Sequence, residues 1–199
     1  MGKRKSSMIF NLIAPIYGLF YKSQKRFYES IVEKIKKEID VSSFANIVDI
    51  GCGTGALCSV FKENGMDVTG IDTASRMLNI AKRIPANSGI KFVQANFLED
   101  LSIENKSFDI SIASYVAHGL KKEERMRLYS EMKRITKNYV IIHDYSKKMT
   151  FKTSFIEWLE GGNYFYFIKH AKTEMEGCFS EVKIINVDAK ANWYICKLI

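Results

Sequence analysis

Two groups of side chains in this 199-residue sequence have the types and spacing for chemistry. The first is Asp49, followed at once by Gly51, Gly53 and Gly55, with a second carboxylate, Asp72, further along. Alternating glycines let a backbone bend tightly and lie close against a ligand. A carboxylate just ahead of them repels phosphate and attracts a cation. The second group is Ser114, Tyr115 and His118 in one short stretch, and His143, Asp144 and Tyr145 in another. Imidazole is the natural acid or base near neutral pH, and hydroxyl, phenol and carboxylate are its usual company.

The elements that must position these groups follow from pattern. Ile47, Val48 and Ile50 are β-branched residues of a buried parallel strand that runs into the glycine turn. Residues 56–64 then read as a helix whose free N–H groups point back over the turn. Strand two covers residues 67–71 and leaves Asp72 at its C-terminal end; the next helix carries Met77 and runs to about residue 83. Strand three is expected at 90–94, strand four at 107–113, a highly charged helix at 121–137 and strand five at 139–142. His143, Asp144 and Tyr145 thus lie at the C-terminal edge of the sheet, where open α/β proteins bind ligands. Adjacent strand residues point to opposite faces, so His143 and Asp144 share a pocket only if strand five has already ended. Residues 178–187 and 192–198 read as two closing strands.

Ahead of the first strand, Phe10, Ile13, Tyr17 and Phe20 or Tyr21 recur at three- and four-residue spacing, which predicts an amphipathic helix interrupted or begun near Pro15. A second helix over 27–39 carries Phe27, Ile31, Ile35 and Ile39 on one stripe.

Two cofactor classes use a turn of this kind. Gly51, Gly53 and Ala56 fit the dinucleotide pattern, with Asp72 about where its ribose-binding acid is expected, which points to an NAD-dependent oxidoreductase. S-adenosylmethionine instead carries an ammonium, a sulfonium and no phosphate, and Asp49 favours it.

Val48-Asp49-Ile50-Gly51-Cys52-Gly53-Thr54-Gly55, followed by Val68-Thr69-Gly70-Ile71-Asp72-Thr73-Ala74-Ser75-Arg76-Met77-Leu78, resembles motifs I and II of class I S-adenosylmethionine-dependent methyltransferases. The resemblance implies one α/β domain over residues 1–199, a three-layer, doubly wound, seven-stranded sheet that is mostly parallel with an antiparallel last strand. The closing hairpin suits that fold, whereas a six-stranded parallel dinucleotide domain lacks one. S-adenosylmethionine is then the cofactor and S-adenosylhomocysteine the product. The cofactor contacts so implied are Tyr17, Asp49, Gly51, Cys52, Gly53, Gly55, Asp72, Thr73, Met77, Asn96, Phe97 and Ser114. Asp72 would accept both ribose hydroxyls or, on the plainer reading, cap the next helix. Thr73 would lie against the adenine. Asn96 stands where the family usually has Asp, and its amide oxygen can still accept from the adenine amino group; a simple turn asparagine is the other reading. Met77 is either a cofactor contact or core. Ser114 would sit near the methionine end, with Tyr115 and His118 facing substrate. His118, Tyr115 and His143 are the catalytic candidates, and a packed or capping histidine is the competing reading.

Residues 10–17 are similar to the opening of ubiquinone/menaquinone-type C-methyltransferases, where such a segment folds over the cofactor. That makes residues 1–40 a helical lid containing Tyr17 and Tyr21, or else leaves those rings facing the core. Residues 146–177, with Trp158 and Tyr164 to Phe167 around Gly161-Gly162, read as a substrate cover; a docking face or a dimer contact has the same aromatic density. The function implied is methyl transfer to a small-molecule acceptor. The alternatives are methylation of RNA or protein, a non-catalytic cofactor-binding protein, and the NAD-dependent reading above.

Composition bounds these readings. With 47% hydrophobic and 26% charged residues the chain is an ordinary globular one. Its +8 net charge is spread along the sequence and not interleaved with aromatics, so a solvated surface is expected, not a nucleic-acid face. Cys52, Cys58, Cys178 and Cys196 form no C-x-x-C pair and His118, His143 and His170 lie far apart, so no metal site is expected and the thiols fit a reducing cytoplasm. Residues 1–6 and the apolar run over 8–21 resemble a signal peptide, and Gly2 with Ser6 fits a myristoylation pattern. No A-x-A-like cleavage site follows, and Asn11, Pro15 and Gly18 interrupt the run, so no membrane span is expected.

Overall fold

The computed structural model describes residues 2–146 and 163–198. The chain is α/β, with a seven-stranded mixed sheet that is mostly parallel with an antiparallel last strand, as the sequence predicts. It divides into two compact units, Met1–Phe97 and Leu98–Ile199.

The first unit begins with α1 (Gly2–Ile35), a single helix that passes through Pro15 and replaces the two helices expected there. A proline inside a helix removes one backbone bond and crowds the carbonyl four residues back, here that of Asn11. Packing overrides that cost. Ala14, Ala74 and Met77 form a buried cluster against which Phe10, Ile13, Tyr17 and Ile80 pack, and Asn11 Oδ1 accepts from Arg76 N at 2.9 Å. Strand β1 (Asn46–Ile50) is buried from Ile47 onward. It pairs in parallel with β2 (Asp67–Asp72), which pairs in parallel with β3 (Lys91–Gln94). Helices α2 (Ala56–Glu63) and α3 (Ser75–Ala81) follow β1 and β2, close to the predicted bounds.

The second unit holds β4 (Phe108–Ser114), a single 3-10 turn (Ala117–Gly119), α4 (Lys122–Ile135), β5 (Thr136–Tyr145), α5 (Asn163–Glu176), β6 (Glu181–Asp188) and β7 (Ala191–Lys197). Strands run in the order β4-β5-β7-β6, β4 parallel to β5 and β7 antiparallel to both neighbours. Helix α4 ends two residues early and β5 starts three residues early, with no loop between them. Thr136 marks the junction: its Oγ1 donates to the Met132 carbonyl at 2.6 Å while its backbone has already turned extended. Of the expected substrate cover, residues 147–162, including Trp158, lie outside the described residues; the remainder is chiefly α5.

A buried ion pair joins α4 to α5. Arg125 on α4 is fully buried, and its Nε and Nη2 reach Glu174 on α5 at 2.7 and 2.8 Å. Removing one partner of such a pair strands the other charge in a low-dielectric interior. Glu174→Ala is therefore expected to cost about 3 kcal/mol in urea unfolding, with Glu174→Gln costing less. Equal stability of wild type and Glu174→Ala would contradict the pairing.

Candidate functional site

The glycine turn is assembled from inside. Gly51, Gly53 and Gly55 adopt φ of 77°, 53° and 77°, conformations that favour glycine. Gly51 N and Cys52 N both donate to the Ile71 carbonyl, at 2.7 and 3.0 Å, and Gly55 N donates to the Cys52 carbonyl at 2.9 Å. Gly53 N donates to Asp72 Oδ2 at 2.8 Å. A Cβ on Gly55 would come within 2.8 Å of both the Asn87 amide and the Phe92 ring, whereas one on Gly53 would meet nothing within 4 Å. Gly55 is thus held by packing and Gly53 borders open space. Asn87, in the 3-10 turn Pro85–Asn87 ahead of β3, is buried and anchors the whole arrangement. Its Nδ2 donates to the Thr54 and Ala81 carbonyls at 3.0 and 2.9 Å, and its Oδ1 accepts from Tyr21 OH at 2.9 Å.

Two carboxylates flank this turn. Asp49, on β1, is 1% exposed; Oδ2 accepts from the Cys58 thiol at 3.3 Å and Oδ1 has no hydrogen-bond partner. Burial, reinforced by the nearby Asp72 charge, pushes its pKa up to about 7. Asp72 ends β2, with Oδ1 accepting from Ala74 N at 2.7 Å. Burial raises its pKa, against the opposing pull of its backbone N–H bonds. Asp72 thus closes a turn onto Ala74, the N-cap residue of α3, which itself has no side-chain cap bond, and each Asp72 oxygen retains a lone pair for a second donor. Asp72→Ala is expected to cost about 1–2 kcal/mol of stability through the lost bonds from Gly53 N and Ala74 N, read by thermal unfolding. No change in midpoint would refute those bonds.

Such a turn suits a cation and not a pyrophosphate. Four of its N–H groups, which a dinucleotide turn offers to phosphate, are spent internally, and the remaining charge is negative. The orphaned Asp49 oxygen is buried and aimless without a donor, which an ammonium supplies. The residues present thus fit the amino-acid end of S-adenosylmethionine.

The other cofactor candidates of this unit fall into two places. Asp72 pairs in register with Gln94, and Ala95 N donates to the Asp72 carbonyl at 3.2 Å, which brings Thr73 and the half-buried Asn96 and Phe97 to one end of the β2–β3 pair. Met77 of α3 is buried, and Tyr17 of α1 packs on its cluster, so both lie where α1 meets α3. Cys52 is buried and its thiol is pushed up to about 11 by burial, which leaves it protonated and unreactive.

The second unit brings Ser114, Tyr115, His118 and His143 together at the C-terminal ends of β4 and β5. Ser114 Oγ lies 2.9 Å from His143 Nδ1, and Tyr115 N donates to the His143 carbonyl at 2.8 Å. Tyr115 sits at φ 55°, a strained value for a bulky residue that is characteristic of functional loops. Its ring centroid is 4.6 Å from that of His143 and 4.9 Å from that of Tyr145. His118 meets Asp144 twice, N to Oδ2 at 3.1 Å and Nδ1 to Oδ1 at 2.8 Å, and both side chains are buried. A carboxylate at Nδ1 favours the proton there, which leaves Nε2 as the ring's lone-pair nitrogen. The His118 ring is walled by Tyr145 at 4.8 Å and Tyr164 at 6.2 Å.

His143 is different. It is fully buried beside Trp193, its cross-strand partner, and burial pushes its pKa down to about 4. It stays neutral at physiological pH. The strand alternation noted in the sequence holds, since His143 contacts Ser114 and Tyr115 while Asp144 takes His118. The sequence places Asp144 and Tyr145 at the sheet edge and Tyr164 in the substrate cover but does not pair Asp144 with His118, since a separation of 26 positions carries no spacing signal.

A model of a methyltransferase domain matches residues 47–139. The ubiquinone/menaquinone biosynthesis C-methyltransferase UbiE of Campylobacter jejuni is 27% identical over 154 residues, covering 70% of this chain and 63% of the relative, so the chain spans just under two thirds of that protein's length. The malonyl-[acyl-carrier protein] O-methyltransferase of Enterobacter lignolyticus is 28% identical, with 54% and 40% covered. Among solved structures, a putative S-adenosyl-L-methionine-dependent methyltransferase from Methanococcus maripaludis superposes with a TM-score of 0.71 at 18% identity, covering 94% of this chain and 93% of that one, a likeness of fold. Both carboxylates and all three turn glycines fall inside the matched domain, which spans just under half of the chain, and these likenesses together support a class I S-adenosylmethionine-dependent methyltransferase.

Proposed function

We propose that this protein transfers the methyl group of S-adenosylmethionine to a small-molecule acceptor and that His118 takes the acceptor's proton. The observation that carries the reading is Asp49, a buried carboxylate with one unpartnered oxygen at a turn whose N–H groups are already used. The cofactor supplies an electrophilic methyl on a cationic sulfonium. The chain's part is to bind, align and exclude water, since charge is neutralised as such a displacement proceeds. Asp49 holds the ammonium, Asp72 accepts from the ribose through its spare lone pairs, and Thr73, Asn96 and Phe97 lie along the purine. Asp72→Ala is expected to lower cofactor affinity about tenfold or more, the loss for one charged hydrogen bond.

On the acceptor side, His118 oriented by Asp144 is the base, Tyr115 and Tyr145 give aromatic walls, and His143 positions Ser114 and Tyr115 without exchanging protons. Two of the relatives carry names for C- and O-methylation, and both kinds of acceptor must lose a proton. Residues 1–40 serve as a cover, with Tyr17 on its inner side, and Tyr164 of α5 belongs to the substrate cover. The four free thiols fit a reducing cytoplasm.

The test is transfer of labelled methyl from S-adenosylmethionine in a cell extract fractionated by size. Label in the low-molecular-weight fraction supports the reading. Label confined to RNA or protein contradicts it, and no label with the cofactor bound would point to a fold without its chemistry.

A further inference from the structure

Among the described residues the inner face of α1 is occupied and its outer face is exposed. Met8, Leu12, Ile16, Leu19 and Phe20 are exposed by 69%, 73%, 55%, 84% and 57%. Their three- and four-residue spacing puts them on one stripe, opposite the Phe10, Ile13, Ala14 and Tyr17 side that packs on α3. Five large apolar side chains in one exposed row are more than a scattered surface hydrophobe requires.

Charge says what covers them. Lys3, Arg4 and Lys5 precede the stripe and Lys22, Lys25 and Arg26 follow it, while no Asp or Glu occurs before Glu29. Lys25 is engaged by Glu29 and Glu63 at 2.6 and 2.7 Å, but Lys22 and Arg26 are exposed. A second copy of this helix laid along the stripe, in either direction, would bring basic ends against basic ends. An apolar row bracketed by cations matches an anionic lipid surface, where the row enters the headgroup boundary and the cations meet phosphates. Among the described residues no helix is long and apolar enough to cross a membrane, so the helix lies on the surface.

We propose that the outer face of α1 docks this protein on an anionic membrane. The docking would hold the protein at the surface independently of what it methylates there. The proposal uses the outer face of the covering helix, away from Tyr17 on its inner side.

The experiment is flotation of the full chain with vesicles of phosphatidylcholine alone or containing about a third phosphatidylglycerol, where the anionic vesicles are expected to bind at least about tenfold better. Raising salt to about 0.5 M should remove most of that difference. Leu12→Glu combined with Leu19→Glu should abolish flotation without lowering the thermal midpoint, because both side chains are in solvent. Lys22→Glu with Arg26→Glu should weaken it and flatten the salt dependence. Absence of flotation, equal binding to both vesicles, or binding untouched by the Leu12 and Leu19 changes would overturn the proposal. A dimer in sedimentation that the Leu12 and Leu19 changes dissociate, with no flotation, would assign the stripe to a second copy instead.

Discussion

Asp49→Asn is expected to make the protein more stable and to weaken its hold on S-adenosylmethionine at the same time. The Asp49 carboxyl is buried with one oxygen unpartnered, and its pKa is pushed from an ordinary 3.8 to about 7. A folded-state value above the unfolded one means that folding disfavours the ionised form. The contribution is fully present below pH 4 and is lost as pH rises through about 7. A shift of that size corresponds to about 4 kcal/mol of destabilisation at pH 8. The replacement amide recovers it but buries an N–H group of its own at a cost of about 1–3 kcal/mol. A net gain of about 1–3 kcal/mol is expected at pH 8 and a net loss, from the buried N–H alone, at pH 4, read from denaturant midpoints. Affinity moves the other way, by about 1.5–3 kcal/mol for the charged hydrogen bond to the ammonium. Wild-type affinity should rise with pH through 7 as Asp49 ionises, and the variant should show no such rise. A variant that is less stable at pH 8, or that binds like wild type, would contradict this role.

His118→Ala and Asp144→Asn are expected to lower turnover by about 10²–10⁴ and leave cofactor affinity unchanged. In the first the base is gone. In the second an amide faces Nδ1 and no longer fixes the proton there, so Nε2 stops being the basic nitrogen. His118→Ala should erase the acidic limb of the pH–rate profile, whereas Asp144→Asn, which keeps the imidazole but removes its neighbouring negative charge, should move that limb to lower pH. His143 offers the contrast. Its titration near pH 4 lies below the working range, so His143→Gln should leave that limb in place even if packing against Trp193 suffers. A retained limb in His118→Ala would remove it from the chemistry.

How much of this the sequence carried depends on distance along the chain. Strand β1, the glycine turn and Asp72 were legible, because a β-branched run, alternating glycines and a strand-end acid are local signals within 26 residues of one another. Pro15 misled: its local penalty is real, but a helix fastened by Asn11, Ala14 and Tyr17 to α3 absorbs it. The start of β5 was hidden since Thr136, Lys137 and Asn138 are polar and α4 passes into the strand without a turn. Asn87 reaches Thr54 and Tyr21 across 33 and 66 positions, and no periodicity reports such a bond. The His118–Asp144 pair was half visible: each residue stood at an expected strand end, and only the fold joins them.

The most direct test of the central claim is calorimetric titration of the protein with S-adenosylmethionine, S-adenosylhomocysteine and NADH in parallel. The account predicts that the first two bind and NADH does not, because the turn presents carboxylates and spends its N–H groups on itself. Binding of NADH, or of none of the three, would contradict it.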